Sequence, residues 1–206
     1  FEDLPFLTDY EIMVRSANKD GYSEWSSVIE VSTLDDPYRN VPKDVSATFS
    51  AEGAYAGTPA LVVDGDLSTQ FHSLANATGE YFTIDLKQVY PLDVFEYVPR
   101  QDNFGNGTLQ DFELQVSIDG TNWKTVHTVG PEGDTPTFTY PNSQQDELVT
   151  RSIDFGDDLS ARYVRVKVVK SVGGFFTADE IFIHTKDVNA GRPAGDIDGS
   201  GEVNEE

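Results

Sequence analysis

The stretch VVDGDLSTQFHS, residues 62–73, carries residue types that suit both a cation and a polar ligand. Calcium takes about six to eight hard oxygen ligands, drawn from carboxylates, carbonyls and hydroxyls. Asp64 offers a carboxylate, and Gly65 permits a sharp turn of the chain. Asp66 and Thr69 can then return carbonyl or hydroxyl oxygens to the same point. These residues predict a calcium site, with an ordinary Asp-Gly turn without metal as the alternative.

The composition limits the partners of the chain. It has 36 Asp and Glu against 14 Lys and Arg, for a formal net charge of -22. Nucleic acids and anionic lipid headgroups need a cationic face, so we expect neither nucleic acid nor membrane as a partner. There is no cysteine, which excludes disulfides, thiolate catalysis and Cys-ligated zinc. The sequence has no apolar run long enough for a transmembrane helix, and its N-terminal FEDLPFLTDY is not a signal peptide.

The elements that must position these groups are strands. Helical periodicity is almost absent and short alternating runs recur between turn residues, which predicts an all-β sandwich or barrel. The clearest runs are YFTIDL (81–86), LDVFEYV (92–98), FELQVSI (112–118), WKTVHTV (123–129) and RYVRVKVV (162–169). Two sets of side chains are expected to face a core: Phe112, Leu114, Val116 and Ile118 in one run, and Tyr163, Val164, Val166 and Val168 in another.

Changes in composition divide the chain into segments. Residues 35–43, DDPYRNVPK, contain two prolines and are typical of a linker. After Lys186 the sequence becomes small, glycine-rich and acidic. The expected segments are therefore 1–34, the linker 35–43, 44–187 and 188–206.

The first segment resembles the end of a fibronectin type III domain. Residues 4–33 carry the pattern L-x-x-x-T-x-Y-x-x-x-V-R-x-x-N-x-x-G-x-S-x-W-S. The resemblance implies the last two strands of such a domain, with Tyr10 as its corner tyrosine, Gly21 at the hairpin turn and Trp25 packed nearby. A two-stranded hairpin alone is marginally stable, so we expect this partial domain to act as a spacer.

The segment 44–187 resembles the discoidin sandwich, also called the coagulation factor type C domain, in its bacterial form, carbohydrate-binding module family 32. The resemblance implies an antiparallel β-sandwich of jelly-roll type in a secreted or cell-surface, bacterial protein. It also implies that the domain is not an enzyme. The motifs that carry it, in the order of the family, are ALVVDGDLSTQFHS, YFTIDL, VFEYVPRQDNFGNGTLQDFELQVSIDGTNW, RYVRVKVV and TADEIFIH.

The resemblance also implies a ligand set for calcium. The loop around Asp64 would be closed by Glu180 in TADEI, with carbonyls from Leu61 and Asp179. One ion would then join the start of the sandwich to its end. That role is structural, in a domain that has no disulfide.

A sugar pocket beside this loop follows from the same resemblance. Its polar groups would be His72, Arg100 and Asn106, and Phe176 or its neighbour Phe175 would form the stacking surface. An imidazole and a guanidinium that both donate to one axial hydroxyl would favour galactose or N-acetylgalactosamine. These sugars are neutral and therefore suit an acidic protein.

Ordinary structural roles remain open for the same side chains. Arg100 can instead pair with Asp102, and His72 can be a surface histidine with no special role. Of Phe175 and Phe176, we expect one to belong to the core and the other to be exposed.

Two other classes of function compete with sugar binding. An enzyme would need two acids in a shared cleft or a nucleophile elbow, and no motif supplies either one. An adhesion module of discoidin type that binds a protein or membrane surface would need basic neighbours around its apolar side chains, which this acidic chain lacks.

The acidic tail GDIDGSGEVNEE resembles the first calcium loop of a dockerin. The twelfth loop position, which should carry a carboxylate, falls beyond the last residue, so we expect no cohesin partner unless the dockerin is complete. A generic acidic linker is the alternative. The matching residues, at the first, third, fifth, sixth, seventh and ninth loop positions, are Asp196, Asp198, Ser200, Gly201, Glu202 and Asn204.

Together these features predict a non-catalytic module that tethers a larger secreted glycoside hydrolase to terminal galactose or N-acetylgalactosamine, with calcium as a structural ion. A monosaccharide of about a dozen heavy atoms at ~0.3 kcal/mol per atom gives a Kd on the order of millimolar. Such a module works by raising effective concentration.

Overall fold

The chain forms two compact units, Phe1–Arg39 and Asn40–Glu206. Their boundary falls within the stretch 35–43 that the sequence analysis assigned to a linker. The dockerin-like tail, residues 188–206, lies outside the described residues. The computed structural model describes residues 9–19, 21–32, 40–74, 76–102, 104–139 and 150–186.

The first unit consists of two short antiparallel strand pairs. Strand β1 pairs with β4, and β2 pairs with β3 across a turn that ends at Gly21, whose φ is +137°. The guanidinium of Arg15 lies over the rings of Tyr22 and Trp25, at 4.0 and 4.4 Å from their centroids. The fibronectin type III assignment of this unit stays a prediction. Its strands are β1 (Asp9–Ile12), β2 (Ala17–Asn18), β3 (Gly21–Tyr22) and β4 (Ile29–Ser32).

The second unit is an antiparallel β-sandwich built on one long strand, β8. The strand order of the main sheet is β10-β9-β12-β8-β11, with β5 and β14 also paired to β8. This arrangement confirms the predicted all-β sandwich. Its strands are β5 (Ser46–Phe49), β6 (Ala54–Ala56), β7 (Phe71–Ser73), β8 (Tyr81–Val98), β9 (Leu109–Ser117), β10 (Lys124–Val129), β11 (Arg151–Asp154), β12 (Ser160–Ser171), β13 (Thr177–Ala178) and β14 (Glu180–Thr185).

Helices have a minor part in the fold. Among the described residues they are two short 3₁₀ turns, Pro59–Val62 and Val172–Gly174. Neither one is long or apolar enough to cross a membrane.

Strand β8 joins the two runs that the sequence predicted as separate strands, 81–86 and 92–98. Lys87 has a φ of +71°, and its backbone N–H donates to Asp85 Oδ1 at 2.8 Å. From Leu92 onward, β8 pairs with β11 and β14 in place of β5. One strand thus serves both layers of the sandwich.

The core lies between the layers and contains a cluster of phenylalanines. Phe176 stacks on Phe82 with their ring centroids 4.9 Å apart, and Phe71 and Phe49 complete the cluster. The alternating side chains predicted to face the core do so at Phe112, Leu114, Val116, Val164, Val166 and Val168.

Two of the predicted core residues were assigned to the wrong side. Ile118 is 64% exposed, because β9 ends at Ser117 and a turn around the carboxylate of Asp119 begins there. Tyr163 lies opposite to the buried valines of β12, since successive side chains of a strand alternate. It packs edge-on against Trp123 instead, with the ring centroids 6.3 Å apart.

The pairing of β8 with β12 predicts a pH-dependent stability. Arg162 donates to the Asp85 carboxylate through Nε at 2.8 Å and Nη2 at 3.0 Å, which lowers the pKa of Asp85 to about 2. A depressed pKa stabilises the fold above the ordinary Asp value, and this contribution is lost as the pH falls toward about 2. Asp85→Asn should lower the free energy of unfolding at neutral pH by about 1 kcal/mol in urea denaturation, a value discounted for partial exposure.

The difference between Asp85→Asn and the wild type should shrink as the pH is lowered from about 4 toward about 2. Asp157→Asn is the matched control, since the side chain of Asp157 is fully exposed and its ion pair with Lys186 spans 3.4 Å. A difference that persists undiminished in acid would contradict this account.

Candidate functional site

The loop of residues 64–69, DGDLST, folds around the hydroxyl of Thr69. This Oγ1 lies 3.1 Å from Leu61 O and 3.1 Å from Asp66 O. It also lies 3.3 and 3.1 Å from the two carboxylate oxygens of Asp64. A hydroxyl has one proton, so it cannot satisfy four acceptors. The loop therefore gathers four oxygens within 3.3 Å of one hydroxyl, and carboxylate, carbonyl and hydroxyl oxygens are the ligands that calcium takes.

Glu180, the first residue of β14, closes this cluster from the far end of the domain. Its side chain is only 1% exposed, and its Oε2 accepts a hydrogen bond from Gly65 N at 2.9 Å. Burial, with the nearby carboxylate of Asp64, raises the pKa of Glu180 to about 8. A buried carboxylate beside an exposed one needs either a proton or a cation to offset its charge.

Asp66 and Asp179 direct their carboxylates elsewhere. Asp66 Oδ1 accepts from Ser68 N at 2.9 Å and from Ser68 Oγ at 2.6 Å, which lowers the pKa of Asp66 and leaves its carbonyl for Thr69. Asp179 Oδ2 accepts from Gln101 N at 2.8 Å. The predicted role of the Asp179 carbonyl as a calcium ligand stays a prediction.

The oxygen cluster suits calcium better than a transition metal. It combines the carboxylates of Asp64 and Glu180 with two carbonyls and one hydroxyl, and it contains no nitrogen or sulfur ligand. In the part of the chain that the structure describes, no three His, Cys, Asp or Glu side chains form a metal-binding group. An ion here would therefore need backbone carbonyls and the Thr69 hydroxyl as ligands in addition to the carboxylates.

A pocket of about 320 Å³ opens beside this loop. All three polar residues that the resemblance implied, His72, Arg100 and Asn106, line it. The rest of its wall is apolar or aromatic and consists of Tyr55, Leu74, Phe104 and Phe175. The structure thus brings the predicted polar groups together at one place.

His72 occupies the middle strand of a small three-stranded sheet, β13-β7-β6. Its neighbour Phe71 points into the core, so strand alternation turns the imidazole to the pocket. Nδ1 lies 2.8 Å from Ser73 O. A carbonyl only accepts, so Nδ1 carries the proton and Nε2 of the neutral ring is an acceptor. This contact favours Nε2 as an acceptor, and the expectation that His72 donates to a sugar hydroxyl stays a prediction.

Arg100 is held in the pocket wall by Asp102. Its Nε donates to Asp102 Oδ1 at 2.6 Å, its Nη2 pairs with the other carboxylate oxygen, and its Nη1 donates to Asn106 O at 3.3 Å. The remaining N–H groups of the two terminal nitrogens stay available. The ion pair with Asp102, posed as the alternative to a binding role, is present, and Arg100 still lines the pocket.

Asn106 is held in place by polar contacts and by two glycines, Gly107 and Gly173, at which the backbone passes close to neighbouring side chains. Its carbonyl also accepts from Thr177 Oγ1 at 3.1 Å, and its Nδ2 lies 3.4 Å from His72 Nε2. A Cβ placed on Gly173 would lie 2.2 Å from Asn106 Oδ1, and one on Gly107 would lie 2.0 Å from Thr177 Oγ1. The amide therefore depends on glycine at both positions.

The two phenylalanines of the late loop have different environments. Phe176 is 0% exposed and belongs to the core cluster, so the expectation that it forms the stacking surface is wrong. Phe175 lies on the opposite side, with its ring centroid 5.2 Å from that of His72. It is the residue of this pair that a ligand can contact.

Sequence reasoning missed the aromatic residues on the other walls of the pocket. Tyr55 is 76% exposed and lines the pocket, with its ring centroid 5.2 Å from that of His72. Phe104 is exposed, with the Arg100 guanidinium 5.5 Å from its ring centroid. A signal existed for Phe104, an aromatic residue in the glycine-rich stretch NFGNG. Tyr55 gave none, because its three-residue strand is too short to show alternation.

The pocket and the loop around Thr69 are connected through residues 100–102. Gln70 follows Thr69 and places its Nε2 3.4 Å from Asp102 Oδ2. On the other side, Asp179 accepts from Gln101 N and directly precedes Glu180. The segment that carries Arg100 is thus attached to the neighbours of both ends of the oxygen cluster.

Comparison with known proteins places this sandwich in a family. The sequence matches the F5/8 type C domain over residues 44–181. It is 31% identical over 117 residues to a galactose oxidase of Gibberella zeae, covering 54% of this chain and 15% of that protein. It is 25% identical over 166 residues to an A type blood N-acetyl-alpha-D-galactosamine deacetylase of Flavonifractor plautii, covering 77% and 20%. The chain therefore spans a fifth or less of these two relatives.

Solved structures show the same architecture. CBM32-1 from a family 31 glycoside hydrolase of Clostridium perfringens superposes with a TM-score of 0.64 at 30% identity, covering 73% of this chain and 100% of that one. The family 32 module of NanJ from the same species, solved with galactose, gives a TM-score of 0.56 at 16% identity, covering 69% and 96%, and shares the fold. By its sequence match over residues 44–181 and by its fold, the chain belongs to the F5/8 type C domain family.

Proposed function

We propose that the sandwich is a non-catalytic sugar-binding module for terminal galactose or N-acetylgalactosamine, and that it tethers a larger glycan-active enzyme to its substrate. The observation that carries the proposal is the convergence of His72, Arg100 and Asn106 in one pocket with exposed aromatic walls. Sugars present hydroxyls that need both donors and acceptors, and a C–H face that packs on an aromatic ring.

The polar groups of the pocket are complementary to an axial hydroxyl. Arg100 has N–H groups left to donate, and His72 Nε2 accepts, so one hydroxyl can receive a bond from the first and donate to the second. In galactose the O4 hydroxyl is axial and the opposite face of the ring is apolar. That face can lie on Phe175 while O4 reaches the polar groups, which glucose, with an equatorial O4, cannot do in the same position.

An ancillary role agrees with the named relatives. Galactose oxidase and the N-acetylgalactosamine deacetylase both act on sugars of this class, and the matched region is a small part of each. No carboxylate is among the described residues that line the pocket, so it offers no acid pair for glycosidic cleavage. Weak binding of one sugar gains effect through tethering, which suits a secreted or cell-surface protein, and a bacterial source is part of the proposal.

The test compares two sugars that differ at one carbon. Methyl β-galactoside should bind with a Kd on the order of millimolar in ligand-observed NMR, and at least about tenfold more tightly than methyl β-glucoside. His72→Ala should lose at least about tenfold in galactoside affinity, because O4 loses its acceptor. His127→Ala is the control, since that histidine lies on β10 with its ring 3.5 Å from Asp134. Equal binding of the two sugars, or binding of neither, would refute the proposal.

The position of Asn106 gives a second prediction for the same pocket. Gly173→Ala places a methyl group 2.2 Å from Asn106 Oδ1 and should lower galactoside affinity about tenfold or more by displacing that amide. Gly174→Ala is a matched control, because Gly174 has a φ of +79° and an alanine there is strained as it is at Gly173, whose φ is +70°. The added Cβ at Gly174 would meet only Asn76 Oδ1, at 3.5 Å. Equal losses in both variants would show that backbone strain, and not Asn106, is responsible.

We also propose that the oxygen cluster holds calcium, with Asp64, Glu180, Thr69 and the carbonyls of Leu61 and Asp66 as ligands. The ion would supply a positive charge to the buried carboxylate of Glu180 and to its exposed neighbour Asp64. The proposal is supported by the oxygens that gather around the Thr69 hydroxyl and by the burial of Glu180.

Calcium should raise the melting temperature of the wild-type protein by several degrees relative to EDTA, since a ligand of the folded state adds stability by mass action. Glu180→Gln should respond little to calcium. Glu132→Gln, a change at an exposed turn, is the control and should respond like the wild type. A full calcium response in Glu180→Gln would exclude this ligand set.

The burial of Glu180 also predicts that the stability of the calcium-free protein depends on pH. Its pKa is raised from 4.5 to about 8, so the folded state holds a proton that the unfolded state releases. Stability of the calcium-free protein should therefore fall as the pH rises through this interval. Differential scanning calorimetry in EDTA should show this fall in the wild type and not in Glu180→Gln. The same fall in both proteins would assign it to other groups.

A further inference from the structure

We propose that Asp102 makes the pocket selective for uncharged sugars and against sugars that carry a carboxylate, such as uronic acids. The inference rests on the sugar site proposed above and adds to it the class of ligand that the site rejects. Asp102 acts through Arg100 and is a positioning residue, because it does not itself line the pocket.

Arg100 is the one charged residue among the described residues that line the pocket. A guanidinium in an apolar wall is a strong site for carboxylates, because two parallel N–H groups match the two carboxylate oxygens. Left unpaired, Arg100 would make the pocket a receptor for acidic sugars. The side chain is only 11% exposed, so water would compete weakly for it.

Asp102 already occupies this site on Arg100. It accepts from Nε at 2.6 Å and from Nη2, in the two-bond arrangement that an acidic ligand would otherwise form. A second carboxylate on the same guanidinium would lie close to the first one and would be repelled by it. The terminal N–H groups that remain can still donate to a neutral hydroxyl.

The carboxylate of Asp102 is held in place from two further sides. Gln70 Nε2 lies 3.4 Å from Oδ2, and the backbone N–H of Phe104 lies 3.4 Å from Oδ1. The preceding residue, Gln101, donates its backbone N–H to the carboxylate of Asp179. An acidic ligand therefore cannot simply displace Asp102 from Arg100, and the surroundings of the segment add negative charge.

The test uses methyl galactoside and methyl galacturonide, which differ only by a carboxylate at C6. Dissociation constants are measured by NMR titration at neutral pH and fixed ionic strength. The wild type should prefer the galactoside by at least about tenfold, and Asp102→Asn should shift this ratio at least about tenfold toward the galacturonide. Asp157→Asn removes the same charge at an exposed position and should keep the wild-type ratio.

Three outcomes would overturn the inference. The wild type could bind both sugars equally, or Asp102→Asn could keep the wild-type ratio. A folded Asp102→Asn protein could also bind neither sugar, which would mean that Asp102 only holds Arg100 in place and has no effect on selectivity. Asp102→Ser provides the same comparison if Asp102→Asn does not fold. A wild type that binds neither sugar would refute the proposed function as well, which distinguishes the two failures.

Discussion

The structure depends on the burial of one carboxylate. Glu180 lies at the start of β14 and is closed off from water, with Gly65 N and the carboxylate of Asp64 as its neighbours. Burying a charge is costly unless it is paired, and two carboxylates cannot pair with each other when both are ionised. The cation that we propose at this point would offset that cost and would join the early loop to the last strand of a domain that has no disulfide. The oxygens around Thr69 would be its further ligands.

The ligand pocket depends on the same region of the fold. Gln70 and Asp179 flank the oxygen cluster in sequence, and both bond to the segment that presents Arg100. His72 lies three residues beyond Thr69, on a strand whose alternation places Phe71 in the core. A disturbance of the cluster would therefore reach the groups that we propose bind the sugar through short and direct connections. The pocket combines a rigid sheet with loops that are fixed by polar contacts, as is usual for binding sites at the rim of a sandwich.

Much of this arrangement could be predicted from local sequence pattern. Strict alternation identified Leu114 and Val166 as core residues, and the ordered motifs placed Glu180 with Asp64 in one ligand set. What failed depended on longer-range geometry or on single bonds. The end of β9 is decided by the turn around Asp119, which exposes Ile118. Tyr55 reaches the pocket through the pairing of β6 with β7, and a strand of three residues is too short to show alternation in the sequence.

The most direct test of the central claim, a saccharide held beside a cation-stabilised rim, is a crystal structure of the protein grown with calcium and methyl β-galactoside. The account predicts the O4 hydroxyl within about 2.7–3.2 Å of both His72 Nε2 and an Arg100 terminal nitrogen, with the sugar ring over Phe175 and an ion between Asp64 and Glu180. A galactoside bound on another surface, with this pocket filled by water alone, would contradict it.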